Sequence, residues 1–261
     1  MDRSNIDKIA QNPEDKLLLA KLWDKIQPGI RRDIPANTGF LSPREQELAR
    51  LLFGNVPGLI TFGGYADAER KMLVYLPEYL SEETLMEESS PVVCLRASFY
   101  HTESPTHRDF LGALMGCGIR RECIGDICVD KNSCDFFVTE EISTYLLEYF
   151  NSAGRVKLKL SAISLTEANI PLPEFAELRD TVASLRLDSV IASGFRIGRS
   201  LASDAILAGK AAIDGLPCEK PDRQVSEGSK VSLRGYGKMK LESVGGQTKK
   251  GRISVVIHRY I

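Results

Sequence analysis

The residues of this 261-residue chain best suited to chemistry are cations, and they are unevenly placed. Residues 181–261 hold 14 Lys and Arg against 7 Asp and Glu, a net +7, whereas residues 1–180 hold 20 against 28, a net −8. The whole-chain value of −1 therefore averages an acidic body and a basic tail, the asymmetry that a localised polyanion-binding module produces. Arg186, Arg196, Arg199, Ser200 and Lys210 lie around two short helical stretches, and Arg234, Lys238, Lys249, Lys250 and Arg252 follow in glycine-rich turns. A guanidinium grips phosphate through paired N–H bonds, an ammonium acts as a point charge, and a helix N-terminus offers backbone N–H groups to the same oxygens.

Other chemistry finds less support. Cys117, Cys123, Cys128 and Cys134 are spaced six, five and six apart, with Cys94 and Cys218 outside that run, and the thiols read as small reduced hydrophobes rather than metal ligands. His107, beside Arg108 and Asp109 at a predicted helix start, has no accompanying nucleophile or metal partner. Gly245-Gly246 lacks the spacing and the following helix of a phosphate-binding glycine loop. The expectation is no catalytic residue, no metal and no cofactor. No run approaches the roughly 18 apolar residues of a membrane span, and Met1-Asp2-Arg3-Ser4-Asn5 has no apolar export core, so a cytoplasmic protein without a membrane partner is expected.

Three regions must position these residues. Residues 1–80 read as an N-terminal α/β subdomain. A helix starts at Pro13, with Leu17, Leu18, Trp23 and Ile26 on its apolar face, and a loop spans Asp33 to Gly39. A second helix has Ser42 as N-cap, Pro43 and Glu45, and strands cover 58–65 and 71–76. After the acidic stretch Glu82 to Ser90, residues 81–170 read β-α-β-β-α-β, which predicts an RRM-like (ferredoxin-like) layer of one antiparallel sheet under two helices. Its last strand is read at 156–165. Ile170-Pro171-Leu172-Pro173 opens a linker over 171–181. Residues 182–261 form the basic domain, with two helices meeting across Gly194 to Gly198, an Asp-Gly turn, and strands at 225–233 and 253–258.

The basic domain resembles the S4-type (αL motif) RNA-binding domain. The resemblance rests on Arg186-Leu187-Asp188, Arg199-Ser200, Gly209-Lys210, Ile213-Asp214-Gly215 and Gly228-Ser229-Lys230-Val231, with Gly198 departing from a usual Ser and Asp214 from a usual Asn. Arg234 to Lys238, Gly246 to Arg252 and Ile257 to Tyr260, together with Thr106 to Leu114 and Arg120 to Ile127, narrow it to the YlmH-like family of bacterial S4-domain proteins. Some relatives carry a photosystem-linked name, but no pigment ligand or membrane segment here supports that role. The resemblance implies an α+β protein and a structural role for Asp188, Gly209, Asp214 and Gly215 in the S4 motif. It also makes Arg108, Arg120 and Arg121 candidates for a second RNA contact.

The implied function is a non-enzymatic, monomeric RNA-binding factor. Its expected partners are ribosomal RNA and tRNA on the large ribosomal subunit, in the rescue of stalled subunits that still carry peptidyl-tRNA. Two alternatives stay open. One is an RNA-modifying enzyme, since Arg186-Leu187-Asp188 is similar to the catalytic-aspartate motif of pseudouridine synthases, although few residues follow it. The other is a protein adaptor acting through the acidic N-terminal half.

Overall fold

The computed structural model describes residues 3–88, 90–100, 105–171 and 174–261. Met1, Asp2 and Ser89, and Leu172 and Pro173 of the expected linker, lie outside the described residues. The fold is α+β, in two compact units, Met1–Pro171 and Leu172–Ile261. Among the described residues no helix is long and apolar enough to cross a membrane.

The first unit opens with α1 (Ile6–Ile9) and α2 (Pro13–Arg32). Asn12 caps α2 by accepting the Asp15 N–H at 2.8 Å, with Pro13 at a position whose N–H has no helical partner in any case. The buried face meets the expected one only in part: it runs Asp15, Leu19, Leu22, Ile26 and Gly29, with Leu18 and Trp23 half-buried and Leu17 60% exposed. Each residue turns about 100° around a helix, so reading Leu17 rather than Leu19 as core rotates the face. Asp15 belongs to that face because Arg44 grips its carboxylate with bonds of 2.7 and 2.8 Å, and those bonds hold the carboxyl well below its ordinary pKa.

The expected loop at 33–39 gives way after Pro35 to strand β1 (Ala36–Leu41). It pairs with β3 (Lys71–Tyr75), and β2 (Leu59–Phe62) lies on the far side of β3, all antiparallel. The Asn37-Thr38-Gly39 stretch has weak strand propensity, and the ladder is irregular there, with the Thr38 hydroxyl accepting the Leu73 N–H at 3.0 Å. Helix α3 (Pro43–Phe53) starts as expected, with a reciprocal capping box between Ser42 and Glu45.

Next come α4 (Glu82–Glu88), β4 (Val92–Ser98), α5 (His107–Gly116), β5 (Ile124–Val129), β6 (Ser133–Thr139) and α6 (Glu140–Tyr149), then β7 (Ser152–Ala153), β8 (Val156–Lys157) and β9 (Lys159–Ile163). The strand read at 156–165 is thus divided, with β7 and β8 forming a separate hairpin. The main sheet runs β5-β6-β4-β9, antiparallel throughout. On one face Phe110, Leu114 and Leu146 of the helices pack on Leu95, Phe136 and Val138. On the other, Cys94, Cys128 and Phe137 join Phe40, Phe62, Met72 and Val74 of the three-strand sheet in a second core. Residues 1–80 and 81–170, separated in the sequence reading, share that core because the second sheet is apolar on both faces and needs two covers.

In the second unit β10 (Phe175–Val182) pairs with β15 (Ile253–Tyr260) from Phe175↔Tyr260 to Val182↔Ile253. Most of the expected linker is therefore an edge strand, whose Glu177, Arg179 and Asp180 gave it a linker's composition. Helices α7 (Leu187–Phe195) and α8 (Arg199–Leu207) follow, then β11 (Ala211–Ile213), β12 (Leu216–Pro217), β13 (Lys230–Leu233) and β14 (Gly237–Gln247). The sheet order is β10-β15-β14-β13-β11-β12, and Leu187, Val190, Ile191, Ala202 and Ile206 of the helices pack with Val231, Met239, Leu241, Val255 and Ile257. The eleven-residue β14 was not read from sequence, and the strand expected at 225–233 is confined to 230–233.

Candidate functional site

The two helices of the second unit are joined by one carboxylate. Asp188, in the first turn of α7 and 6% exposed at its side chain, accepts the Nε and Nη2 N–H groups of Arg186 at 3.2 Å and two N–H groups of Arg199 at 3.1 Å. Burial acts to raise the Asp188 carboxyl, and the two guanidiniums outweigh it, so its pKa lies below the ordinary value. The backbone N–H groups of Leu187 and Asp188 donate to the carbonyls of Arg223 and Pro221. Helix α8 differs, because Gly198 is its N-cap and no side chain caps it. Its first turn, where Arg199 and the exposed Ser200 sit, keeps N–H groups directed outward.

A second set of exposed residues is linked through the end of α8 and the β13–β14 turn. Gly209 follows α8, and the carbonyl of the exposed Lys210 accepts the Arg234 N–H at 2.9 Å, which brings two expected cations onto neighbouring backbone. Two residues on, Tyr236 lies 5.9 Å from Phe195 between ring centroids and stays 45% exposed. Arg196, next to Phe195, is exposed in a left-handed conformation with φ of 54°. Lys210 and Arg234 are thus neighbours, Tyr236 ties their turn to Phe195, which Arg196 follows, and the exposed Lys238 stands at the start of β14. Tyr236 was missed as a site residue; its signal was an aromatic ring between two glycines in a basic turn.

Lys249 and Lys250 are exposed in the β14–β15 turn, at the far end of β14 from Gly237, on the order of 30 Å at a strand's rise per residue. Arg252 is exposed but engaged, donating to the Thr181 hydroxyl at 2.9 Å and to the Thr181 carbonyl. Asp214 and Gly215 both have positive φ, 49° and 81°, as a two-residue hairpin turn requires, and Asp214 accepts the Lys230 N–H at 2.8 Å.

In the first unit, the segments that carried the resemblance have structural work. Asp126 accepts the Tyr65 hydroxyl at 2.7 Å and the N–H groups of Glu69 and Arg70 at 2.6 and 3.0 Å, tying the two sheets together. Gly125 is required there, since a Cβ would stand 2.7 Å from the Phe40 ring. Arg121 is half-buried and donates to the Ile124 carbonyl at 2.6 Å, beside Arg70, whose guanidinium reaches the carbonyls of Ile124, Phe40 and Arg121. Burial first, and then the charge of Arg121, push Arg70 down to about 10. Arg120 is exposed but paired with Glu122 at 2.9 Å. Arg108 is exposed with no ion pair among the described residues, on a helix whose Thr106–Asp109 capping box is complete.

Cys94, Cys123, Cys128 and Cys134 are buried, and burial pushes the Cys94 and Cys128 thiols up to about 12 and about 11. Among the described residues no three of His, Cys, Asp and Glu gather as metal ligands do. His258 stacks on Phe175 with ring centroids 4.0 Å apart and lies 3.6 and 3.5 Å from Glu177 and Glu242.

Comparisons with known proteins supply an independent line. A family model described as "Putative RNA-binding domain in YlmH" matches residues 100–167. The "Ribosome-associated protein quality control protein P2" of Bacillus subtilis (strain 168) is 34% identical over 224 residues, covering 85% of this chain and 86% of that protein. The solved structure of "Cell division protein ylmH from Streptococcus pneumoniae" matches with a TM-score of 0.52 at 19% identity, over 62% of this chain and 98% of that one, a likeness of fold.

Proposed function

The chain belongs to the YlmH-like family, and from that premise we propose that it is an RNA-binding factor of ribosome-associated quality control, acting by docking rather than catalysis. It binds ribosomal RNA and tRNA of the large subunit through its second unit, which we read as an S4 module, and makes a further RNA contact through the first unit, whose four-strand layer with its two helices we read as RRM-like. The strand order and the two helices on one face support the second assignment, and the helix pair with its Asp-Gly hairpin supports the first. The printed name of the Bacillus relative supports the ribosomal setting.

The observation that carries the proposal is the exposed group Arg196, Lys210, Arg234 and Tyr236 on a unit whose residues 172–261 hold 15 Lys and Arg against 10 Asp and Glu. Cations take the phosphates and the tyrosine face takes a base. Arg186 and Arg199 are divided between two tasks, since Asp188 holds them in place as a platform beside the open N-terminus of α8. The test is the affinity of the full chain for large-subunit RNA across salt concentrations. The wild type should lose affinity steeply with salt, and K210A/R234A should flatten the log–log slope by about 1.8, near 0.9 for each lost contact to duplex RNA. An affinity independent of salt would contradict the proposal, and a change in the mass of any nucleoside after incubation would favour an RNA-modifying enzyme.

A further inference from the structure

This inference rests on the RNA-binding reading of the first unit and specifies its surface. We propose that this unit holds the ribose-phosphate backbone of RNA in the cleft between α5 and the β7–β8 hairpin, using Arg108, Arg155 and Lys157, and leaves the second face of the four-strand sheet unused.

That face is closed to bases. Its central positions Cys94, Phe137 and Asp135 are at most 1% exposed, and Cys128 is 7% exposed. Phe137 lies under Tyr65 with ring centroids 5.1 Å apart, and Phe40, Phe62 and Met72 complete the cover. Asp135 is taken by Arg96 at 2.6 and 2.7 Å and by the Asn169 N–H at 2.7 Å. A sheet buried there has no aromatic platform to offer.

The helix side is open. A cleft of about 450 Å³ is lined by Arg108, Gly112, Ala113 and Cys117 of α5 and its end and by Ser152 and Gly154 of the hairpin. Gly112 carries no side chain, and a Cβ there would meet nothing within 4 Å, so a polymer backbone can approach the helix closely. Ser152 pairs directly with Lys157 across the hairpin, and directly paired residues share a face, so Lys157 stands on the cleft side while Ala153 is buried in the core. Arg155 follows Gly154 in the turn. Arg108, Arg155 and Lys157 are exposed and have no ion pair among the described residues, in a unit whose residues 1–171 hold 19 Lys and Arg against 25 Asp and Glu. Asp109, the acid of the cleft, is engaged by the Thr106 N–H at 2.8 Å and hydroxyl at 2.7 Å. One unpaired cation lining a recess of small residues, with two more on the hairpin that borders it, fits a phosphate chain in an otherwise acidic unit.

Cys117 is exposed in the cleft and serves as a native reporter. The full chain is treated with N-ethylmaleimide alone, with saturating 20-nucleotide oligouridylate, or with polyglutamate, and alkylation at Cys117 is followed by mass spectrometry. RNA should slow the reaction at least about fivefold and polyglutamate should not. In R108Q/R155Q/K157Q the protection should vanish and the salt slope of oligouridylate binding should flatten by about 2, near 0.7 per contact to a single strand. Cys117 reacting at one rate with and without RNA in the wild type would overturn the inference, as would equal protection by polyglutamate, which would identify an acidic protein partner. If Cys117 is unprotected while K210A/R234A weakens binding to large-subunit RNA, this inference falls and the C-terminal reading stands. If Cys117 is protected while K210A/R234A changes nothing, the inference holds and the C-terminal reading falls.

Discussion

Replacing Asp188 with Asn removes the charge that joins α7 to α8 and leaves the volume almost unchanged. Asp188 is 6% exposed, whereas the side chains of Arg186 and Arg199 are 36% and 53% exposed, so the abandoned guanidiniums rehydrate in part. The loss should therefore fall short of the roughly 3–5 kcal/mol of a fully buried broken pair and lie nearer about 2 kcal/mol, at the lower end for bonds to a charged group. For a unit the size of residues 172–261 that lowers its melting temperature by about 10 °C, readable by far-UV circular dichroism. The pKa of Asp188 is depressed by folding, so its contribution is present above the ordinary value of 3.8 and is lost as pH falls through the folded value. The gap between wild type and D188N should be constant from about pH 5 to 8, narrow progressively below about pH 4 and close only beneath the depressed folded value. Equal melting temperatures at neutral pH, or a gap that persists at low pH, would refute the reasoning. The same geometry warns that R199A mixes lost RNA contact with lost stability, so Lys210 and Arg234 are the cleaner probes.

Three further outcomes are expected. D126N should destabilise the first unit by about 2 kcal/mol, read by fluorescence of Trp23, the single tryptophan, because three donors lose a charged acceptor. G125A should cost about 1–3 kcal/mol by forcing Phe40 aside, measured as a lower urea midpoint with unchanged slope. In the native chain without RNA, N-ethylmaleimide at neutral pH should label Cys117 and Cys218 well before the four buried thiols, whereas prompt labelling of Cys94 or Cys128 would contradict the packing described.

Local signals were legible in the sequence. Ser42-Pro43 with Glu45, and Thr106 with Asp109, each form a closed set of hydrogen bonds within four residues, so the starts of α3 and α5 could be read without the rest of the chain. Elements made by distant pairing could not. Strand β10 is polar along much of its length and exists through β15, more than seventy residues away, and β1 owes its form to β3. Strand β14 offers Met239 and Leu241 as its fully buried apolar residues, with glycines at Gly237, Gly245 and Gly246. The charge division was legible because it needs no geometry. The employment of individual cations was not, because Arg121, Arg199 and Arg252 meet carbonyls and a carboxylate whose positions only the tertiary structure sets. Arg155 and Lys157 escaped notice for a related reason, since the hairpin was not read and its second strand was merged into the strand expected at 156–165.

The most direct test of the account is sedimentation of the full chain with ribosomes on a sucrose gradient, comparing wild type with K210E/R234E. The wild type should travel with the large subunit and the variant, still folded by circular dichroism, should remain at the top. A variant that keeps its place in the large-subunit peak, or a wild type that never enters it, would contradict the claim that this basic face docks the protein on ribosomal RNA.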